Sequence, residues 1–390
     1  MPSAVTLADV ARAAGVSLAT ASRAINGSAT RTVRPELRER VLAVAAELNY
    51  LPNANAQAMA RGRTTALGLI VHDIADPYFS AIAAGVTAAA DQADLMVTLG
   101  NTQHDPDREL ALVGVLHRQR ARAIVIAGGR HDDRGKRDEL GAALSAYREG
   151  GGSVALVSQP VLDMDTVAID NVAGAADLAA ALLARGYRSF AILAGPPGHL
   201  TARERFDGFL NALRAHDPAL TPSHVVNSDF TRDGGYRAMR ELNERVDLTT
   251  GEVDAVFAVN DVMAVGAMAA ARDAGVRVGV DVGVAGFDDI ATLRDVTPGL
   301  STVRVPLHHA GVLATQLALG VGLDAAADGL LSEESKGSSD PSGEKERRRP
   351  ANEQVITTAP APTLHARDDG ARVIRLGGTV VLRDSTPPRT

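Results

Sequence analysis

The chain of 390 residues contains no cysteine and no tryptophan, and aromatic residues make up only 3% of it. Without cysteine it has no disulfide bonds and no thiolate metal ligands. No apolar stretch approaches the length needed to cross a bilayer, since the strongest runs, such as residues 66–71, have the length of a strand. The residues after Met1 do not have the pattern of a signal peptide, in which a charged segment is followed by an apolar one. We therefore expect a cytoplasmic protein without membrane association. The hydrophobic content of 45% is enough for two or three domain cores.

Residues 1–51 have the pattern of a small three-helix head. Thr6 is placed to cap a first helix. A three-residue link, 15–17, ends in a serine that caps a second helix over 18–25, and Pro35 stands in the first turn of a third helix. A link of this length between two helices is typical of a helix-turn-helix, so the head is predicted to be one.

The second helix is predicted to be the recognition helix. Its outer and N-terminal positions carry Leu18, Ala19, Ser22 and Arg23. A helix of this size fits the major groove of B-DNA, where an arginine makes a bidentate contact to guanine and an apolar side chain meets a thymine methyl group. The same pattern also occurs as ordinary helix packing, so taken alone it leaves both DNA binding and a plain helical bundle open.

A longer ordered motif runs through the head. Its residues are Thr6-Leu7-Ala8-Asp9-Val10-Ala11, Ala14-Gly15-Val16-Ser17, Thr20, Ser22-Arg23, Asn26-Gly27, Glu47-Leu48-Asn49-Tyr50 and Pro52-Asn53. With this motif the chain resembles the lactose/galactose-repressor family of bacterial transcription factors, over nearly its whole length except roughly 324–371. The resemblance implies regulated binding to double-stranded operator DNA by a homodimer or a higher oligomer.

By this resemblance, residues 52–64 form a hinge helix that orders on operator DNA. Asn53 would cap the hinge, and Met59 stands where the family usually places a leucine that opens the central base step in the minor groove. Apolar wedges of this kind bend DNA and allow further contacts. The complete set of expected DNA-contacting residues is Thr6, Ser17, Leu18, Ala19, Thr20, Ser22, Arg23, Asn26, Asn53, Ala56, Met59 and Arg61.

The charge is unevenly distributed along the chain. Residues 1–63 carry eight Arg or Lys against four Asp or Glu, a net charge of +4, while the remainder carries −11, which together give −7. A basic head on an acidic body favours specific DNA contact without general adhesion to polyanions. A surplus of this size also occurs on ordinary solvated surfaces, so it supports DNA binding without establishing it.

After the hinge, short apolar runs alternate with longer helical patterns, which predicts parallel α/β structure. This alternation of strands and helices starts again after residues 167–170, so two doubly wound parallel-sheet subdomains are expected. Their crossing pattern resembles periplasmic binding proteins, the type of sensor domain that the family shares. The first subdomain is predicted to comprise residues 65–169 and 299–323, and the second 170–298 and 372–386.

Residues 324–371 interrupt this pattern. Ser, Glu, Lys, Pro and Arg dominate residues 332–350, and Ala359-Pro360-Ala361-Pro362 follows. Such a composition cannot bury a core. We therefore expect a disordered surface insertion, and we expect its deletion over 326–370 to leave operator binding intact.

The effector site is expected at the carboxyl ends of the strands, where open parallel sheets bind ligands. Aromatic residues are scarce, so those that follow predicted strands are informative: they can stack on a sugar ring or a heterocycle. The resemblance adds Arg205 and Asp288, a planar donor and a carboxylate acceptor suited to ring hydroxyl groups. The predicted effector-binding residues are Tyr78, Phe79, Asp170, His199, Thr201, Arg205, Phe230, Asn260, Phe287 and Asp288.

Two classes of effector remain open. The residues 229–230, 235–239 and 78–79 look like the purine-responsive branch of the family. That branch has an arginine where this chain has His199, and loss of this donor weighs against a purine. A carbohydrate is therefore the first expectation and a purine or nucleoside the second. Whether the effector acts as inducer or co-repressor is left open.

Enzymatic function is not expected, and no cofactor or metal is predicted. The phosphate-loop pattern fails near Gly135, and no Gly-x-Ser-x-Gly elbow or metal-spaced histidine pair occurs. A sugar- or nucleoside-processing enzyme is the remote alternative. A solute-binding protein for uptake is the other rival, and it would carry a leader peptide in place of the helix-turn-helix.

Overall fold

The computed structural model describes residues 5–26, 32–51, 63–321 and 353–389. The chain divides into two compact units, a head of residues 1–65 and a body of residues 66–390. No helix within the described ranges is long and apolar enough to span a bilayer.

The described residues of the head form the three predicted helices. They are α1 (Leu7–Ala13), α2 (Leu18–Asn26) and α3 (Pro35–Glu47). Thr6 and Asp9 form a capping box, in which each side chain accepts a hydrogen bond from the other residue's backbone N–H. Val10, Ala21 and Val41 are fully buried and join the three helices in one small core. The small side chains of α2 allow it to pack closely against α1.

The first subdomain of the body is a seven-stranded sheet with helices on both faces. The elements before the first crossing are β1 (Ala66–Val71), α4 (Pro77–Gln92), β2 (Met96–Asn101), α5 (Pro106–Arg118), β3 (Ala123–Ala127), α6 (Arg134–Glu149), β4 (Ser153–Val157) and β5 (Asp165–Ile169). These five strands pair in parallel in the order β5-β4-β3-β1-β2. β1 and β3 are almost entirely apolar and buried, because helices cover both faces.

The second subdomain has a four-stranded parallel sheet. Its elements are α7 (Asn171–Ala184), β6 (Phe190–Ala194), α8 (Leu200–His216), β7 (His224–Asn227), α9 (Arg232–Arg245), β8 (Ala255–Ala258), α10 (Asp261–Asp273) and β9 (Gly283–Ala285). The strand order is β7-β6-β8-β9. The predicted parallel α/β body with two doubly wound sheets is therefore confirmed.

The remaining described elements cross between the two subdomains. They are a short 3-10 helix (Ala291–Asp295), β10 (Thr302–Arg304), α11 (Leu307–Leu319), β11 (Gln354–Val355), β12 (Thr363–Ala366), β13 (Arg372–Leu376) and β14 (Thr379–Leu382). α11 packs against α4, β4 and β5 of the first subdomain, where the sequence placed it. β14 pairs with β10 and β11 in a small sheet, and a bridge between Ala285 and Ser301 links this sheet to β9.

The assignment of residues 372–386 to the second subdomain is wrong for β13. β13 pairs in parallel with β5, with Val373 opposite Thr166, and therefore extends the first sheet. The pairing buries Val373 and Ile374 against that sheet. Residues 377–378 then carry the chain across to β14.

The expectation of a disordered insertion over 324–371 is wrong for its last part. Residues 353–371 contain β11 and β12, which pair antiparallel with β14 and β13. Residues 324–352 lie outside the described part of the chain. The polar composition of β11 and β12 misled the prediction, because both are edge strands with exposed side chains and need no apolar face.

Candidate functional site

The head presents one face of α2 to solvent. Leu18 and Ala19 are exposed, with Leu18 at 54% exposure, and Ser22 and Arg23 are half-buried. The Ser17 Oγ accepts a hydrogen bond from the Thr20 N–H at 3.2 Å, which begins the helix. Arg23 lies along its own helix, where its Nε donates to the Ala19 carbonyl at 2.9 Å. The face therefore carries apolar, hydroxyl and guanidinium groups together.

The predicted DNA-contacting residues of the head fall into two groups. Ser17 precedes α2, and Thr20 and Asn26 lie on it together with the four side chains of its outer face, whereas Thr6 caps α1. The four predicted hinge residues lie outside the described residues, and they are Asn53, Ala56, Met59 and Arg61.

In the body, the carboxyl ends of the strands of the two subdomains face each other across a cleft. The Leu200 N–H donates to the Arg130 carbonyl and the Asp132 N–H to the Gly198 carbonyl, both at 2.8 Å. The Gln159 Nε2 donates to the Thr201 Oγ1 at 2.9 Å. These contacts join loops after β3 and β4 to the start of α8, so the cleft is closed along this side.

A buried ion pair forms the floor of the cleft. The Arg205 Nη2 donates to Asp288 at 2.7 Å, and Arg205 also donates to the Asn171 amide oxygen and the Val259 carbonyl, both at 2.9 Å. The guanidinium carbon lies 3.9 Å from the centre of the Phe287 ring. Burial raises the pKa of Asp288 to about 6, although Arg205 opposes this rise. At neutral pH the site therefore holds a fixed guanidinium and a carboxylate side by side.

Asp76 and Tyr78 face this ion pair from the first subdomain. Asp76 caps α4 by accepting the Tyr78 N–H at 2.9 Å. Burial and the nearby Asp288 together raise the pKa of Asp76 to about 6, although the hydrogen bond from the Tyr78 N–H opposes this rise. Burial also raises the pKa of Tyr78 far above its ordinary value, so its hydroxyl keeps its proton. The wall opposite Arg205 thus offers an acceptor and a donor.

His199 and Phe230 form a stacked pair beside the ion pair. Their ring centres are 4.6 Å apart at an interplanar angle of 24°. The His199 Nδ1 accepts the Ala202 N–H, and burial lowers the pKa of His199 to about 3. The ring is therefore neutral and does not replace the charge of an arginine. His131 packs edge-on against it from across the cleft, at 5.0 Å.

Four predicted effector residues have structural roles. Asp170 and Asn260 cap α7 and α10 by accepting the N–H groups of Ala173 and Met263. Phe287 is completely buried beneath Arg205, and Phe79 is 6% exposed. Asp170 is half-buried, whereas the amide of Asn260 is enclosed. These residues position the site, and their contact with a ligand remains a prediction.

Strand-end reasoning missed residues that follow β1, β2 and β3. His72, Thr102, His104, Arg130 and His131 are among the residues lining a cavity of about 270 Å³. Arg130 forms a buried bidentate ion pair with Glu109, at 2.8 and 2.9 Å. Burial lowers the pKa of all three histidines, so their rings are neutral. The rule that located Tyr78 would have found them had it been applied to every strand of the first sheet.

Comparisons with known proteins agree with both units. The family model of bacterial regulatory proteins of the lacI family matches residues 6–53. The model of periplasmic binding proteins and the sugar binding domain of the LacI family matches residues 64–315. The HTH-type transcriptional regulator GalS of Salmonella typhimurium is 35% identical, covering 81% of this chain and 89% of the relative.

Two further matches are a repressor and a solved complex with a sugar. The HTH-type transcriptional repressor PurR of Proteus mirabilis is 31% identical over 80% of this chain and 89% of its own. The solved complex of the transcriptional regulator CelR with cellobiose is 28% identical, with a TM-score of 0.60, covering 98% of this chain and 99% of that one. The described geometry and these matches together show that the chain belongs to the lacI family of bacterial regulatory proteins and is a DNA-binding transcriptional regulator with a periplasmic-binding-protein-type sensor domain.

Proposed function

We propose that the chain is a homodimeric repressor whose operator affinity is controlled by a sugar bound in the cleft. The observation that carries this proposal is the convergence of Arg205 and Asp288 with Asp76 and Tyr78 from the opposite subdomain. A guanidinium and two carboxylates supply paired donors and acceptors for adjacent ring hydroxyl groups. The half-buried Phe230 and Tyr78 supply apolar faces of the kind on which sugar rings stack.

The neutral imidazoles also favour an uncharged polyhydroxylated ligand. The three histidines of the adjoining cavity each have one donor and one acceptor nitrogen when neutral, and His199, whose Nδ1 accepts the Ala202 N–H, has its Nε2–H as a donor. The Arg130 charge at the cavity floor is already paired with Glu109. The CelR relative is a complex with cellobiose, which supports a sugar for this cleft.

A purine or nucleoside is the second candidate. It is supported by the PurR relative and by the His199–Phe230 stack, which offers a flat surface for a heterocycle. The lowered pKa of His199 counts against it, because a neutral histidine lacks the fixed positive charge of the arginine in the purine-responsive branch.

We further propose that two bodies pair so that two heads read the half-sites of a palindromic operator in the cytoplasm. Strand β2 supports this pairing, because it forms one edge of the seven-stranded sheet and exposes Met96 at 76% and Leu99 at 46%. Exposed apolar side chains on an edge strand are typical of an interface. Effector and operator would then bias the same two-state equilibrium, as inducer or as co-repressor.

The effector class is tested by thermal shift of the full chain with cellobiose, galactose, ribose, hypoxanthine and guanine. A ligand that binds the native state raises Tm. We expect one of the sugars to raise it. Asp288→Asn should then reduce affinity by about tenfold or more, since hydrogen bonds to charged groups contribute about 1.5–3 kcal/mol.

Asp233→Asn is the matched control, because it removes an exposed carboxylate that is paired with Arg232 on α9. It should leave the sugar response unchanged. A rise in Tm with a purine and with none of the sugars would show that the effector belongs to the second candidate class, the purines and nucleosides. Full retention of sugar affinity in the Asp288→Asn variant would show that the sugar binds elsewhere.

A further inference from the structure

Residues 353–366 run beside residues 377–378, which carry the chain from β13 across to β14, and we call this segment the strap. β11 pairs antiparallel with β14, where Val355 lies opposite Val381. β12 pairs antiparallel with β13, where Leu364 lies opposite Ile374. The strap therefore follows the chain on both sides of the crossing from the first subdomain to the second.

The strap also contacts the crossing point itself. The Ala359 N–H donates to the Thr379 Oγ1 at 3.1 Å, and the Val380 N–H donates to the Thr357 Oγ1 at 2.9 Å. The Pro360 ring lies against Gly377, and any side chain at residue 377 would collide with it. This close approach requires a glycine at the crossing, so strap and connection fit as one unit.

Glu353 anchors the start of the strap in an ion cluster with Arg304, Asp289 and Arg383. It accepts hydrogen bonds from Arg304 at 2.9 Å and from Arg383 at 3.1 Å. Asp289 accepts from the same two arginines, at 2.6 and 2.8 Å. The Glu353 side chain is only 5% exposed, so water screens the cluster weakly. Without Glu353, two arginines would share one carboxylate.

The ion cluster lies beside Asp288, the carboxylate of the proposed effector site. Asp289 follows Asp288 directly in the chain. The Asp288 N–H donates to the Val303 carbonyl at 2.8 Å, and the Asp288 carbonyl accepts the Val305 N–H at 3.2 Å, on both sides of Arg304. The cluster therefore holds the backbone that positions Asp288 beneath Arg205.

We propose that the strap stabilises the closed arrangement of the cleft and that Glu353 is a positioning residue for Asp288. Closure brings together the two walls that hold the ligand. A strap that stabilises closure therefore couples the end of the insertion to effector binding. The inference rests on the proposed function only in taking the cleft as the effector site.

The test is backbone hydrogen exchange of the full chain, without ligand, in wild type and Glu353→Gln. The Asp132 and Leu200 amides report closure, because each donates across the cleft. Both should exchange about fivefold faster or more in the variant, a typical size for coupling between sites. Glu241→Gln, which removes an exposed carboxylate paired with Arg245 on α9, should leave both rates unchanged.

Faster exchange confined to β11 and β14 would overturn the proposal, because the role of Glu353 would then be local. If Glu353→Gln speeds exchange throughout β6 and β8, the substitution has destabilised the whole fold, and Arg304→Gln becomes the test. Arg304 pairs with both Glu353 and Asp289 and is more exposed than Glu353, so its replacement should destabilise the fold less. Unchanged Asp132 and Leu200 rates in that variant would also overturn it. Because no effector is added, failure of the sugar proposal cannot produce either result.

Discussion

Asp261 is a buried carboxyl group that makes stability depend on pH. It is fully buried, and it accepts the Thr302 hydroxyl at 2.7 Å and the Ile290 N–H at 3.0 Å. Burial, together with the nearby Asp288, raises its pKa to about 8 from an ordinary value of 3.8. Between these values the folded state holds a proton that the unfolded state has lost. Folding stability from this group therefore falls as pH rises, by at most about 1.4 kcal/mol per pH unit.

Asp261→Asn should flatten this dependence. The comparison is of urea midpoints between pH 6.5 and 8, because the depressed pKa values of His72 and His199 act in the opposite direction below 6.5. Wild type should lose stability across this window and the variant should lose much less. Asp233→Asn should keep the wild-type slope. An unchanged slope in Asp261→Asn would mean that Asp261 is already ionised at pH 6.5.

At the scale of elements, we expect α2 to determine which base sequence the head reads. Arg23→Ala should cost about 1–3 kcal/mol at one base pair per half-site and relax selectivity there. Sequencing of duplexes that the full chain selects from a randomised library measures this position by position. Arg12→Ala is the control, since Arg12 lies on α1 in an exposed ion pair with Asp9. Equal weakening for every sequence would assign Arg23 to the phosphates instead.

Local elements were predictable from the sequence, and distant pairings were not. The capping box of Thr6 and Asp9 spans a single turn, so residue spacing reveals it. β13 was misplaced because its partner β5 lies some two hundred residues earlier, and no local pattern specifies such a register. The strap was missed because edge strands need no apolar face.

The candidate site, like the fold, was predictable from the sequence only in part. The family resemblance supplied Arg205 and Asp288, and the structure brings both to one cleft together with Tyr78, which was selected by strand ends. Strand ends also selected Asp170 and Asn260, where a polar residue after a strand caps the next helix. The ion cluster around Glu353 joins residues from three separate parts of the chain, and only the folded structure brings them together.

At the scale of the whole molecule, operator binding should depend on pairing through β2. Lysines on an edge strand oppose further pairing, because charge would have to be buried beside unpaired backbone groups. Met96→Lys/Leu99→Lys should therefore convert the full chain to a monomer in sedimentation. Operator affinity should fall by about 100-fold or more, since the second head loses its high effective concentration. Leu364→Lys, at the opposite edge of the same sheet, should keep the dimer. A double variant that stayed dimeric would place the interface elsewhere, and a monomer with wild-type affinity would show that one head suffices.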